Sequence, residues 1–173
     1  MRLIEKPKDN EFPPYANMYI QLLPDDGLLL KHLKNNFKST KELILSLPEE
    51  KLNYRYAENK WTIKEVLVHI IDDERIYGYR ALRFARNDKT ELPGFEQDDY
   101  VLYSQANERN IKNIMEEYEV VRGATIALFG SLPEDSFLRV GTANNNKVTV
   151  RALAYHIVGH ELHHINILRE KYL

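Results

Sequence analysis

A repeated punctuation constrains this chain more than any single motif does. Ser46-Leu47-Pro48-Glu49-Glu50 recurs as Ser131-Leu132-Pro133-Glu134-Asp135, and Trp61-Thr62-Ile63-Lys64 recurs as Val148-Thr149-Val150-Arg151. In each half a proline-bearing stop closes one helix and a threonine opens the next. Proline cannot continue a helix, and a threonine hydroxyl caps the free amides of a first turn. Two helix pairs of this kind predict an all-α chain folded as a four-helix bundle.

Taken in order, residues 1–24 carry Pro7, Pro13, Pro14 and Pro24 without a helical period, which predicts an extended arm. Tyr15, Met18, Tyr19 and Ile20 make that arm apolar enough to pack on the bundle. Asp25 or Asp26 is the expected cap of a first helix over 26–46, with Leu29, Leu33, Phe37 and Ile44 facing inward and His32 solvated. Thr62-x-x-Glu65 is a capping box, and the helix it opens runs to about Asn87. Residues 88–103 read as a loop, with Asp98 and Asp99 in a solvated acidic turn. A third helix is expected over 105–130, then a polar loop over 134–147 with at most a short ribbon near Leu138–Val140. The fourth helix runs from Thr149 to the C-terminus, and residues 1–173 make one domain.

Composition narrows the partners. With 43% hydrophobic and 29% charged residues and a net charge of −2, the chain reads as globular, with nothing to draw it to nucleic acid or an anionic membrane. The absence of cysteine excludes disulfides, thiolate ligands and a cysteine nucleophile. No run reaches the ~18 apolar residues of a membrane span, and the first residues lack the apolar segment of a signal peptide. Those readings predict a cytoplasmic protein.

The chemistry is concentrated in the last helix. Four of the six histidines fall in His156-Ile157-Val158-Gly159-His160-Glu161-Leu162-His163-His164. At about 100° per residue, His156, His160 and His164 share one stripe, and imidazoles at i and i+4 can hold one divalent metal. His160-Glu161-Leu162-His163-His164 also matches H-E-x-x-H, but the metal protease of that signature needs a third ligand downstream, where no histidine remains. The third ligand is therefore expected upstream, at His69, which follows Thr62 by the same seven residues that separate His156 from Thr149. His156 is either a fourth ligand or a group beside the metal, and His163 points off the stripe. Asp73, Tyr77 and Arg80 share the His69 face of the second helix. Asp73 and Arg80 read either as an ion pair or as substrate-binding groups. Glu161 is demoted from catalytic base to neighbour, and Trp61 reads as a packing anchor.

The pattern Trp61-Thr62-x-x-Glu65-x-x-x-His69 with His160-x-x-x-His164 resembles the DinB-like (YfiT-like) superfamily of metal-dependent four-helix-bundle proteins. The likeness extends to Tyr79–Arg86, Leu92–Tyr100 and Gly159–Glu170. The resemblance implies an antiparallel bundle with a long crossover between helices two and three. It also implies a divalent metal, zinc or nickel, on His69, His160 and His164, and a homodimer. For activity it implies less: some relatives look like transferases or isomerases that use a low-molecular-weight thiol, and the leading expectation is a transferase that joins such a thiol to a small electrophile. A hydrolase using metal-activated water is the enzymatic alternative, and a stress-linked metal-binding or sensing protein without catalysis is the alternative of another class.

Overall fold

The computed structural model describes residues 2–173; Met1 lies outside the described residues. Its frame is four long helices: α1 Leu29–Leu45, α2 Ile63–Ala85, α3 Ile111–Ser131 and α4 Val150–Ile167. The caps behave as the residues dictate. Thr62 Oγ1 accepts from the Glu65 amide at 3.1 Å while the Glu65 carboxylate accepts from the Thr62 amide at 2.7 Å. Thr149 Oγ1 accepts from the Ala152 amide at 3.2 Å.

Three boundaries differ from expectation, each for a local reason. Helix α1 starts at Leu29 because Asp26 spends its carboxylate on the Leu28 amide, at 2.9 Å, and closes a turn through Gly27 at φ +68°. The same carboxylate lies 3.0 Å from His32 Nε2, so that histidine is paired rather than solvated. Helix α3 starts at Ile111, not near 105, because Gln105 takes a left-handed φ of 52° and Asn110 supplies the cap through the Lys112 amide. The polar loop over 134–147 contains an antiparallel hairpin, β1 Val140–Ala143 and β2 Asn146–Thr149. Its turn is Asn144-Asn145, both at positive φ, the geometry that suits a two-residue hairpin.

Helix α2 packs on α4 and α3, and α1 packs on α3 and α4, so the consecutive helices of each repeat sit on opposite corners. Antiparallel packing joins α2 to α4, with His69 beside His160 and Tyr77 beside His156. It also joins α1 to α3, with Leu33 at Arg122 and Lys41 at Glu119. Helices α2 and α3 run side by side in the same direction, with Thr62 meeting Asn107 and Glu74 meeting Arg122. A 23-residue helix spans about 35 Å, so the chain needs the long crossover, residues 86–110, to return to the starting end. The crossover carries a short helix, Gln97–Tyr103, and is tied to the hairpin through Leu92, whose amide donates to Thr142 O. The N-terminal arm is extended only in part, with short helical turns at Asp9–Glu11, Pro14–Ala16 and Asn17–Ile20. It buries Ile4, Phe12, Ile20 and Leu23 against the bundle. No helix of the described residues is long and apolar enough to cross a membrane.

The core is in two parts. Phe84, Phe129, Phe137 and Leu153 pack at the hairpin end, and Leu67, Ile71, Ile114 and Ile165 at the other. A buried polar layer lies between them. There Arg122 donates to Glu74 through Nε at 2.9 Å and Nη2 at 2.8 Å, and to Glu161 through Nη1 at 2.8 Å. Its remaining bonds go to Leu33 O at 2.7 Å and the Tyr118 hydroxyl at 3.0 Å. Thr40 donates to the other oxygen of Glu161 at 2.8 Å. All four helices contribute to this network. Burial works against the Arg122 charge, but Glu161, Tyr118 and Glu74 outweigh it and raise its pKa well above the usual arginine value.

Removing one partner of a buried ion pair leaves the other uncompensated, so Arg122→Met should lower the unfolding free energy by about 3–5 kcal/mol. Urea denaturation followed by circular dichroism would measure it. A loss of only about 0–1 kcal/mol, typical of an exposed pair, would show that the network does not hold the helices.

Candidate metal centre

Helix α2 presents His69, Asp73 and Tyr77 one turn apart, and α4 presents His156, His160 and His164 in the opposite direction. The two ladders meet at His160. Its Nε2 lies 3.0 Å from Nε2 of His69 and 3.0 Å from Nε2 of His164. Two nitrogens bound tetrahedrally at ~2.0–2.1 Å from a zinc ion lie about 3.3 Å apart, so this spacing fits one ion with small adjustments. The donor state fits as well. Burial pushes all three imidazoles toward the neutral form: His69 is lowered, His160 is lowered well below the usual value, and His164 is pushed down to about 3. A neutral imidazole offers its lone pair to a metal.

Around this triad the six expected neighbours separate. Asp73 Oδ2 sits 3.4 Å from Nδ1 of His160 and 3.3 Å from Nε2 of His156. The His156 ring stacks on Tyr77 with centroids 3.7 Å apart and planes 3° apart. His163 is half-buried beneath the edge of Tyr19. Arg80 does not pair with Asp73, from which seven residues separate it by about 10 Å along the helix. It donates instead to Pro93 O at 2.8 Å and lies over the Tyr77 ring. Glu161 is the clear correction. One residue past His160 the helix has turned about 100°, so its carboxylate faces Arg122 and Thr40 rather than the histidines. The H-E-x-x-H likeness thus lacks its catalytic glutamate.

Three residues outside the expected site set enclose the centre. Trp61 packs against His69 with centroids 4.7 Å apart and stacks toward His164. Tyr19, from the arm, sets its ring edge-on to His156 and His160. The arm comes this close because residue 159 is glycine: a Cβ there would lie 2.2 Å from the Tyr19 carbonyl oxygen. Asp98, from the crossover helix, lines both clefts that reach the centre. One, of about 320 Å³, is lined by Asp73, His156 and His160; the other, of about 300 Å³, is lined by His164 and Trp61. The charges of Asp73 and Asp98 both reach His69, opposing part of its burial effect. Only the apolar character of the arm hinted at Tyr19, while Asp98 lies in the Leu92–Tyr100 stretch that the resemblance covers, where it read as part of a solvated acidic turn.

Comparisons with known proteins bear on the family and the fold. A family model described as the DinB superfamily matches residues 32–168. A protein of Oceanobacillus iheyensis, provisionally named a metal-dependent hydrolase, is 26% identical over 140 residues, 79% of each chain. YfiT from Bacillus subtilis, described as a probable metal-dependent hydrolase with an unusual four-helix bundle topology, superposes with a TM-score of 0.70 at 17% identity. That match covers 95% of this chain and 90% of YfiT. A DinB-like protein of Bacillus subtilis gives a TM-score of 0.58 at 20% identity over 82% of this chain and 86% of its own. At these identities the two structures establish the fold alone.

Buried neutral imidazoles make the metal-free fold acid-sensitive. In the unfolded chain His69, His160 and His164 take up their protons near 6.5, and in the folded chain only below that, for His164 at about 3. The unfolded state therefore binds more protons in this window. The stability is full above 6.5 and is lost as pH falls toward 3. The melting temperature of metal-free protein should decline through that window, and His164→Gln should flatten the decline. An unchanged slope in the variant would contradict the buried, neutral state of His164.

Proposed function

The chain belongs to the DinB superfamily, and from that membership and the geometry above we propose that it is a metal-dependent hydrolase in which His69, His160 and His164 hold one divalent cation. The observation that carries this reading is the meeting of three buried Nε2 atoms from two antiparallel helices beside an open cleft. The names of two relatives support hydrolysis as the reaction class. An all-imidazole set suits zinc or nickel and disfavours magnesium or calcium, which take oxygen ligands.

A cation bound there supplies Lewis acidity, polarising a substrate carbonyl or lowering the pKa of a nucleophile. The chain supplies the rest. With one cation bound, His160 keeps its proton on Nδ1, toward Asp73, and offers Nε2 to the site. Trp61 and Tyr19 limit water on two sides of the imidazoles. Asp98 stands where both clefts converge, and its exposed carboxylate accepts the proton that the nucleophile gives up.

Metal-free protein titrated with Zn²⁺ or Ni²⁺ should take up the ion stoichiometrically, and His69→Ala, His160→Ala and His164→Ala should each lower the content measured by elemental analysis. Loaded protein should then hydrolyse members of an ester and amide panel, with Asp98→Asn slower and its metal content unchanged. If activity is confined to a thiol-plus-electrophile panel, the site is a transferase instead. Failure to bind either ion, with His160→Ala indistinguishable from the parent, would sink the metalloenzyme reading.

A further inference from the structure

The histidine triad leaves a second set of donors unused on the other side of His160. Asp73 Oδ2 lies 3.3 Å from Nε2 of His156 and 3.4 Å from Nδ1 of His160, and the donor atoms of the three residues all lie within 4.8 Å of one another. Each residue is only 4% exposed. Even so, Asp73 Oδ2 and both ring nitrogens of His156 have no hydrogen-bond partner. Buried polar groups are rarely left so, because each has given up its water for nothing. A proton on Nδ1 of His160 serves Asp73 weakly at this distance and does nothing for His156. The spacing that is loose for hydrogen bonds matches the edge of a tetrahedral coordination shell, about 3.3 Å.

The surroundings favour an ion as the missing partner. The Tyr77 ring stacked on His156 fixes the imidazole plane and leaves Nε2 facing Asp73. The three residues line one wall of the larger cleft, so an ion can reach them from solvent. Two imidazoles and one carboxylate, with an open side, is also a donor set used by catalytic zinc sites.

We propose that Asp73, His156 and Nδ1 of His160 form a second divalent-cation site, and that His160 bridges it to the histidine triad. The inference rests on the proposed function only in sharing His160. When both sites fill, the bridging ring gives its Nδ1 proton to solvent and carries a cation on each nitrogen. The nitrogen-rich set selects zinc, cobalt or nickel over magnesium and calcium.

Calorimetric titration of the metal-free full chain with Co²⁺ tests this, with visible absorption recorded at each addition. The parent should bind two equivalents, the second adding its own absorption bands. Asp73→Asn and His156→Gln should each bind one, keeping the first transition and losing the second. Circular dichroism confirms that each variant is folded, and either variant alone is sufficient. If the parent stops at one equivalent and both variants do the same, the second site is overturned while the histidine triad stands. If the parent binds none, both fall.

Discussion

The guanidinium of Arg122 is the interaction on which the rest of the structure depends. The apolar core is interrupted at the level of Glu74, Arg122 and Glu161, and there a single side chain from α3 binds carboxylates on α2 and α4 and a carbonyl on α1. Buried ion pairs add little net stability compared with apolar packing. What this one provides is rotation and register. With Glu161 turned toward Arg122, the stripe His156, His160 and His164 must face α2. With Glu74 turned the same way, its neighbour Asp73 and the turn below it, at His69, face α4. The network and the histidine cluster are two faces of one polar layer.

The layer lies deep because the bundle is closed by segments that belong to neither repeat. The arm crosses α4 where Gly159 removes the Cβ that would block it, and lays Tyr19 over the histidines. The crossover, held to the hairpin through Leu92, brings Asp98 to the mouths of both clefts. Desolvation by these covers keeps the imidazoles neutral, and the carboxylates of Asp73 and Asp98 oppose part of that effect at His69. Burial and nearby negative charge together describe a cavity suited to a cation.

Local signals were legible in the residues alone. The threonine caps, the proline stops and the apolar stripe of the first helix act within one or two turns, and they placed the long helices. Helical spacing put His160 and His164 on one face, and the repeat put His69 at a matching depth. Where two local signals competed, the reading slipped: Asp26 closes a turn instead of capping α1, and Asn110 caps α3 at Ile111 rather than near the expected 105.

The amino-acid sequence by itself determined the four long helices, most of their ends and which side chains share a face, because these depend on neighbours along the chain. Tertiary structure alone decided that paired helices stand on opposite corners, that Glu161 serves Arg122 instead of the histidine cluster, and that Asp73 falls between two imidazoles. It alone brought Tyr19, Trp61 and Asp98 around the histidines. Those outcomes depend on how whole helices rotate and on where the arm and crossover land, and such contacts between distant residues leave no period in the sequence.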